Sequence, residues 1–135
     1  MNSAKLLWAV IAIYGATAVG LGAWRAHGLA NLLDPSELAT IGTAVTYQFY
    51  HTLALCICGL AGTCLAEPQL RRAWGLAAIL LALGTLLFSG SLYALVWLEW
   101  RWLGPVTPLG GLSMIIGWLG LGRAGWLTAT IYRKA

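Results

Sequence analysis

AWGLAAILLALGTLLFSGSLYALVWL, residues 73–98, carries no charged side chain from one end to the other. A helix of roughly 20 apolar residues crosses the hydrocarbon core of a bilayer, and this run is longer than that. It reads as a membrane span. Working outward, three further apolar runs follow the same pattern. One lies over 6–24 between Lys5 and Arg25, one over 47–66 ending at Glu67-Pro68, and one over 109–131 with Arg123 as its one charge.

The composition agrees with four spans. Of the 135 residues, 60% are hydrophobic and 9% charged, with a mean hydropathy of +0.79, too apolar for an ordinary soluble domain. The expected fold is all-α: an integral membrane four-helix bundle, up-down, forming one transmembrane domain over 1–135. The run over 6–24 is expected to be a retained span and not a secretory signal, because the body that follows it is itself membrane. The net charge of +4 comes from residues at span ends and reads as topology, so no nucleic acid is expected as a partner. Lys5, Arg71, Arg72, Arg133 and Lys134 fall on one side, Arg25 and Arg101 on the other. The majority side is expected in the cytoplasm, with both termini. Trp8, Trp24, Trp74, Trp97, Trp100 and Trp102 fall near span ends, where amphipathic rings prefer to sit, and Trp118 sits well inside.

The first loop is longer than the other two. Asp34 suits an N-cap, Pro35 the first helical position, and Glu37 completes a capping-box pattern. A short extra helix over about 35–46 is expected, either lying at the interface or running straight into the second span. Small residues recur at helical spacing in every span, as packing in lipid requires. They are Ala9, Ala12, Ala16, Gly20 and Ala23 in the first and Ala54, Cys58, Gly62 and Ala66 in the second. The third has Ala78, Ala82, Thr85 and Ser89, and the fourth Gly110, Ser113, Gly117, Gly120 and Ala124. All four stripes are expected to face into the bundle.

Ser89, Ser91 and Tyr93 interrupt the quoted run in its outer half. At the same depth stand His27, Gln48, His51 and Thr107. A serine in a helix bonds back to its own carbonyls, so Ser89 on the small stripe has a structural reading as well as a ligand-binding one. Tyr47, Gln48 and His51 share a helix face, and His51 and Tyr93 are expected to be close. His27 and His51 are the one conceivable ligand pair for a haem or metal, but two histidines without a carboxylate cluster make no site of known type, so neither metal nor cofactor is expected. Arg123, about 14 residues or roughly 20 Å into the fourth span, is an intramembrane charge, read either as snorkelling to inner phosphates or as half of a buried pair. The serines have no base and acid partner, and there is no phosphate-binding glycine loop, so no enzymatic activity is expected.

GAWRAHGL (residues 22–29), TAVTYQFYHTLAL (43–55), LFSGSLYAL (87–95) and GPVTPLGGLSMIIGW (104–118) resemble, in the right order, the signature segments of domain-of-unknown-function family 423. These are small four-span membrane proteins that include transmembrane protein 256. The departures are Trp24 and Arg25, where members more often carry Phe and Gly, so the first loop is expected to be shaped differently. The resemblance implies a bacterial inner-membrane or mitochondrial protein and a four-helix fold, and it implies no activity. The functional expectation is a non-enzymatic accessory or assembly subunit of a larger membrane complex, or a homo-oligomer, in a bacterial inner membrane. The alternative is binding or transport of a lipid, quinone or small solute at the outer polar cluster formed by His27, Gln48, His51, Ser89, Ser91, Tyr93 and Thr107.

Overall fold

The computed structural model describes residues 3–133, so Lys134 lies outside the described residues. Four helices follow one another: α1 (Ser3–His27), α2 (Pro35–Cys64), α3 (Pro68–Trp97) and α4 (Val106–Tyr132). Each is long and apolar enough to cross a membrane. The chain is an all-α membrane helical bundle.

Proline sets two of the helix starts. Pro35 and Pro68 stand in the first turns of α2 and α3, where a missing amide costs nothing. Glu67, the residue before Pro68, is extended at φ −66° and ψ 119°, as sterics with the ring demand, so α2 stops at Cys64 and the chain turns back through three residues. At the other end of α2 the capping box forms in full. Asp34 accepts from the Ser36 and Glu37 amides at 2.7 and 2.9 Å, and Glu37 accepts from the Asp34 amide at 3.0 Å. The Glu37 amide in particular holds the Asp34 carboxyl below its ordinary value. From that cap the helix runs unbroken for 30 residues, about 45 Å, straight into the second span. The first loop holds instead a 3₁₀ turn at Leu29–Asn31, and the third loop another at Arg101–Leu103.

Consecutive helices are antiparallel. Gly59 lies under Trp8 and Gly42 under Arg25, so numbers fall along α2 as they rise along α1. The same holds between α3 and α4, where Trp74 bonds Thr128 and Ser91 bonds Thr107. Main-chain neighbours are α1 with α2, α2 with α3, and α3 with α4. The inner pair is therefore α2 and α3, with α1 and α4 flanking them.

The small-residue stripes do not all behave alike. In α3 and α4 they meet. A Cβ at Gly110 would run into the Phe88 amide nitrogen and lie 2.9 Å from the Gly84 carbonyl oxygen, and one at Gly117 would lie 2.8 Å from Leu81. No side chain fits between these backbones. The α1 stripe, expected in the interior, faces out: Ala9, Ala12, Ala16, Gly20 and Ala23 are all exposed, and a Cβ at Gly20 would meet nothing within 4 Å. Helix α1 turns Ile11, Tyr14, Gly15, Ala18 and Gly22 inward instead, because the bulkier Ile11 and Tyr14 gain more contact with α2 and α3 than alanines would. On α2 the stripe divides, with Ala54 and Cys58 buried and Gly62 and Ala66 exposed.

The interior has two halves. Toward the end that holds the chain termini, Ile11, Leu55, Cys58, Trp74, Ala78, Leu81 and Ala124 make a dry cluster. Toward the opposite end lie the buried polar residues Gln48, His51, Thr52, Thr85, Ser89 and Ser91, interleaved with apolar Ile41, Ala44 and Met114.

Candidate functional site

The polar half is the natural place to look for chemistry, and its geometry is that of a closed network. Gln48 is its hub. Its side-chain amide donates to the Tyr14 carbonyl at 2.8 Å and to the Thr17 hydroxyl at 2.7 Å, and its oxygen accepts from the Tyr93 hydroxyl at 2.9 Å. One side chain thus ties α1, α2 and α3. The meeting follows from side-chain direction: Tyr93 leans back along α3 and Gln48 back along α2, toward one another on antiparallel helices. Ser89 donates to the Ala44 carbonyl at 2.9 Å, joining α3 to α2, and Tyr14 donates to the Ala82 carbonyl at 3.0 Å. Ser91 donates to the Phe88 carbonyl and pairs with Thr107 at 2.7 Å, joining α3 to the first turn of α4.

His51 turns the other way. Its Nδ1 is 2.6 Å from the Tyr47 carbonyl, which only accepts, and its Nε2 is 3.1 Å from the Trp118 indole nitrogen, which only donates. Those partners assign the neutral tautomer with the proton on Nδ1. Both ring nitrogens are engaged, so neither offers a lone pair to a metal. His51 therefore does not meet Tyr93, which goes to Gln48. The two residues, expected at one depth, also differ in level: α2 starts at Pro35, about 24 Å before His51, whereas Tyr93 stands about 6 Å from the end of α3.

His27 stands apart from the cluster. It is exposed in the last turn of α1, next to the Arg25 that lies over Gly42, and so about 15 Å nearer the loop end than His51. The two histidines form no pair. Among the described residues no group of three or more His, Cys, Asp or Glu is placed to hold a metal. Tyr14, Thr17 and Trp118 belong to the network although depth alone did not select them. The available signal was Trp118 itself, the tryptophan far from any span end whose indole N–H needs an acceptor.

Among the described residues, no buried side-chain nitrogen or oxygen lacks a partner. What remains open is a shallow groove of about 240 Å³ between α1 and α3, walled by Ile13, Leu21 and Leu86, with Tyr14, Gln48 and Tyr93 along its floor. The aromatic rings close the loop end above it: Trp24 stacks on Trp97 at 5.6 Å and Trp97 on Tyr93 at 5.3 Å. The two unusual residues Trp24 and Arg25, in the last turns of α1, thus have clear places. The Trp24 indole lies against Gly28, where a Cβ would come within 2.7 Å of its nitrogen. Arg25 crosses Gly42 to donate to the Leu38 carbonyl at 2.8 Å. Arg123 is exposed at the far end, on the wall of a cleft between α3 and α4.

Comparison with known proteins agrees with this architecture. The family model described as "Protein of unknown function (DUF423)" matches residues 21–111. A UPF0382 membrane protein of Staphylococcus aureus (strain bovine RF122) is 42% identical over 116 residues, covering 85% of this chain and 90% of the relative. The UPF0382 inner membrane protein YgdD of Escherichia coli (strain K12) is 43% identical over 107 residues, 79% of each chain. A UPF0382 membrane protein of Haemophilus influenzae is 38% identical over 112 residues, 83% of this chain and 86% of the relative. No solved structure matches. With a family model over most of its length and relatives above a third identical, this four-helix membrane protein belongs to the DUF423 family of proteins of unknown function.

Proposed function

We propose that this protein is a non-enzymatic bundle that works by association, as an accessory or assembly subunit of a larger membrane complex or as a homo-oligomer. One observation carries the reading. The described polar side chains inside the bundle are satisfied by one another and by main-chain carbonyls, while the small-residue face of α1 (Ala9, Ala12, Ala16, Gly20, Ala23) is turned outward. In lipid, such a face lets a second helix approach closely enough for dispersion and weak hydrogen bonds to hold it, which a face of leucines does not. The inner-membrane name of the Escherichia coli relative supports a bacterial inner membrane as the location, and the excess of Arg and Lys at the terminal end supports cytoplasmic termini.

Purification in a gentle detergent at native expression, with mass spectrometry of the accompanying peptides and lipids, tests the reading. A stoichiometric protein partner or a defined oligomer is expected. That assembly should be lost in an Ala16→Leu, Gly20→Leu variant whose circular dichroism and thermal stability stay those of the parent. A monomer carrying one enriched lipid or quinone would instead favour a ligand in the groove over Gln48 and Tyr93, the reading to which that opening lends support. Orientation is checked at Cys64, exposed at the end of α2. A membrane-impermeant maleimide should leave it unlabelled in intact spheroplasts and label it after lysis, and labelling before lysis would reverse the topology.

A further inference from the structure

At the terminal end, the first turns of α3 and the last turns of α4 enclose a cleft of about 370 Å³ with Gln69, Arg72 and Arg123 in its lining. Its walls are otherwise apolar, chiefly Leu76, Leu127 and Ile131. Among the described residues no acidic side chain lines it, and Glu67 is exposed ahead of α3. Two arginines thus share one opening, with no carboxylate among its described lining residues.

The depth of Arg123 makes that arrangement informative. Trp74 bonds Thr128 and Gly120 lies over Ala77, so Arg123 starts level with the second turn of α3, about 10 Å inside Pro68. It is exposed on the outer surface of the bundle, where acyl chains would surround it. A cation there is costly unless its long stem carries the charge to an anion at the interface. The cleft leads from Arg123 to Arg72 and Gln69, which stand in the first turns of α3 at the level of the headgroups. A guanidinium binds phosphate oxygens in a fork, and two of them converging suit a singly charged phosphodiester better than a zwitterion whose ammonium they would repel.

We propose that this cleft is a binding site for an anionic phospholipid, whose phosphate lies between Arg72 and Arg123 and whose acyl chain runs along Leu76 and Leu127. The site is at the opposite end of the bundle from the polar network and is independent of how the protein associates.

The test uses the full chain in phosphatidylcholine nanodiscs with increasing phosphatidylglycerol, read by native mass spectrometry after release into detergent and by thermal shift. Selective retention of about one phosphatidylglycerol is expected. Arg123→Gln and Arg72→Gln should each weaken it by roughly five-fold or more, about the worth of one arginine at an anionic surface. Arg101→Gln, which removes an equal charge at the other end of the bundle, should not. Absence of selective retention by the unaltered protein overturns the proposal without recourse to any variant, as does equal retention by Arg123→Gln. Full displacement of the lipid by millimolar inorganic phosphate would overturn it in favour of an ion site with no role for the acyl chain.

Discussion

Gln48 shows how one side chain organises a membrane interior. An amide has two N–H donors, and here both are used across to α1 while its oxygen accepts from α3. In lipid the unfolded alternative also finds partners, so each such bond is worth about 0.6 kcal/mol on average, up to about 1.7. Tyr93→Phe is therefore expected to cost about 1 kcal/mol. Gln48→Leu should cost about 1–3 kcal/mol, because it leaves the Tyr93 hydroxyl without its acceptor and removes both bonds to α1 at once. A double-mutant cycle by steric trapping in bicelles would show positive coupling, and strict additivity would mean that the two side chains do not meet. At this scale the sequence was half legible. Of the seven residues expected in one layer, the structure brings Gln48 to Tyr93 and Ser91 to Thr107, and sets His27 and His51 apart. Position along a span does not fix which way a side chain points around the helix until the neighbours are known. Tyr93 is expected beside His51 on depth, but α2 begins 12 residues before the apolar run at 47, so His51 lies deeper, and Tyr14 and Thr17 enter the layer through Gln48.

Among elements, the α3–α4 crossing is set by what is missing from it. Gly84, Gly110 and Gly117 bring backbone against backbone, and Ser113 donates to the Leu80 carbonyl at 2.9 Å across the same seam. A methyl group at Gly110 meets main-chain atoms that no rotamer change can move, so Gly110→Ala should destabilise by about 1–3 kcal/mol, the usual cost of overpacking. Gly122→Ala, with open space around it on the same helix, is the matched control and should leave stability unchanged. Equal effects of the two, in chemical denaturation followed by circular dichroism, would rule out the close approach. Helix ends were the most legible elements, since Asp34, Pro35 and Glu37 announce a start through local chemistry alone. The small stripes were legible as places where close approach is possible. Sequence could not tell that α4 offers its stripe to α3 while α1 turns its own away, because an interior face and an interface face need the same small residues.

For the molecule as a whole, the order of packing predicts an order of separation. Helix α4 is locked to α3 along a glycine seam, and α2 and α3 form the inner pair. Helix α1 fully buries only Ile11 and Ala18 and is held chiefly by α2 and the Gln48 hub. Hydrogen–deuterium exchange in nanodiscs should therefore find the amides of 3–27 opening before those of 106–132. Earlier exchange in α4 would contradict this hierarchy. The loop above α1 carries a consequence of another kind. Arg25 lies so close over Gly42 that a methyl there would be 2.8 Å from its Nε, and Trp24 stands in the same relation to Gly28. In evolutionary terms positions 25 and 42 are then linked, and so are 24 and 28. A side chain at 42 displaces the Arg25 guanidinium from the Leu38 carbonyl, so an aligned family should pair arginine at 25 with glycine at 42 more often than chance.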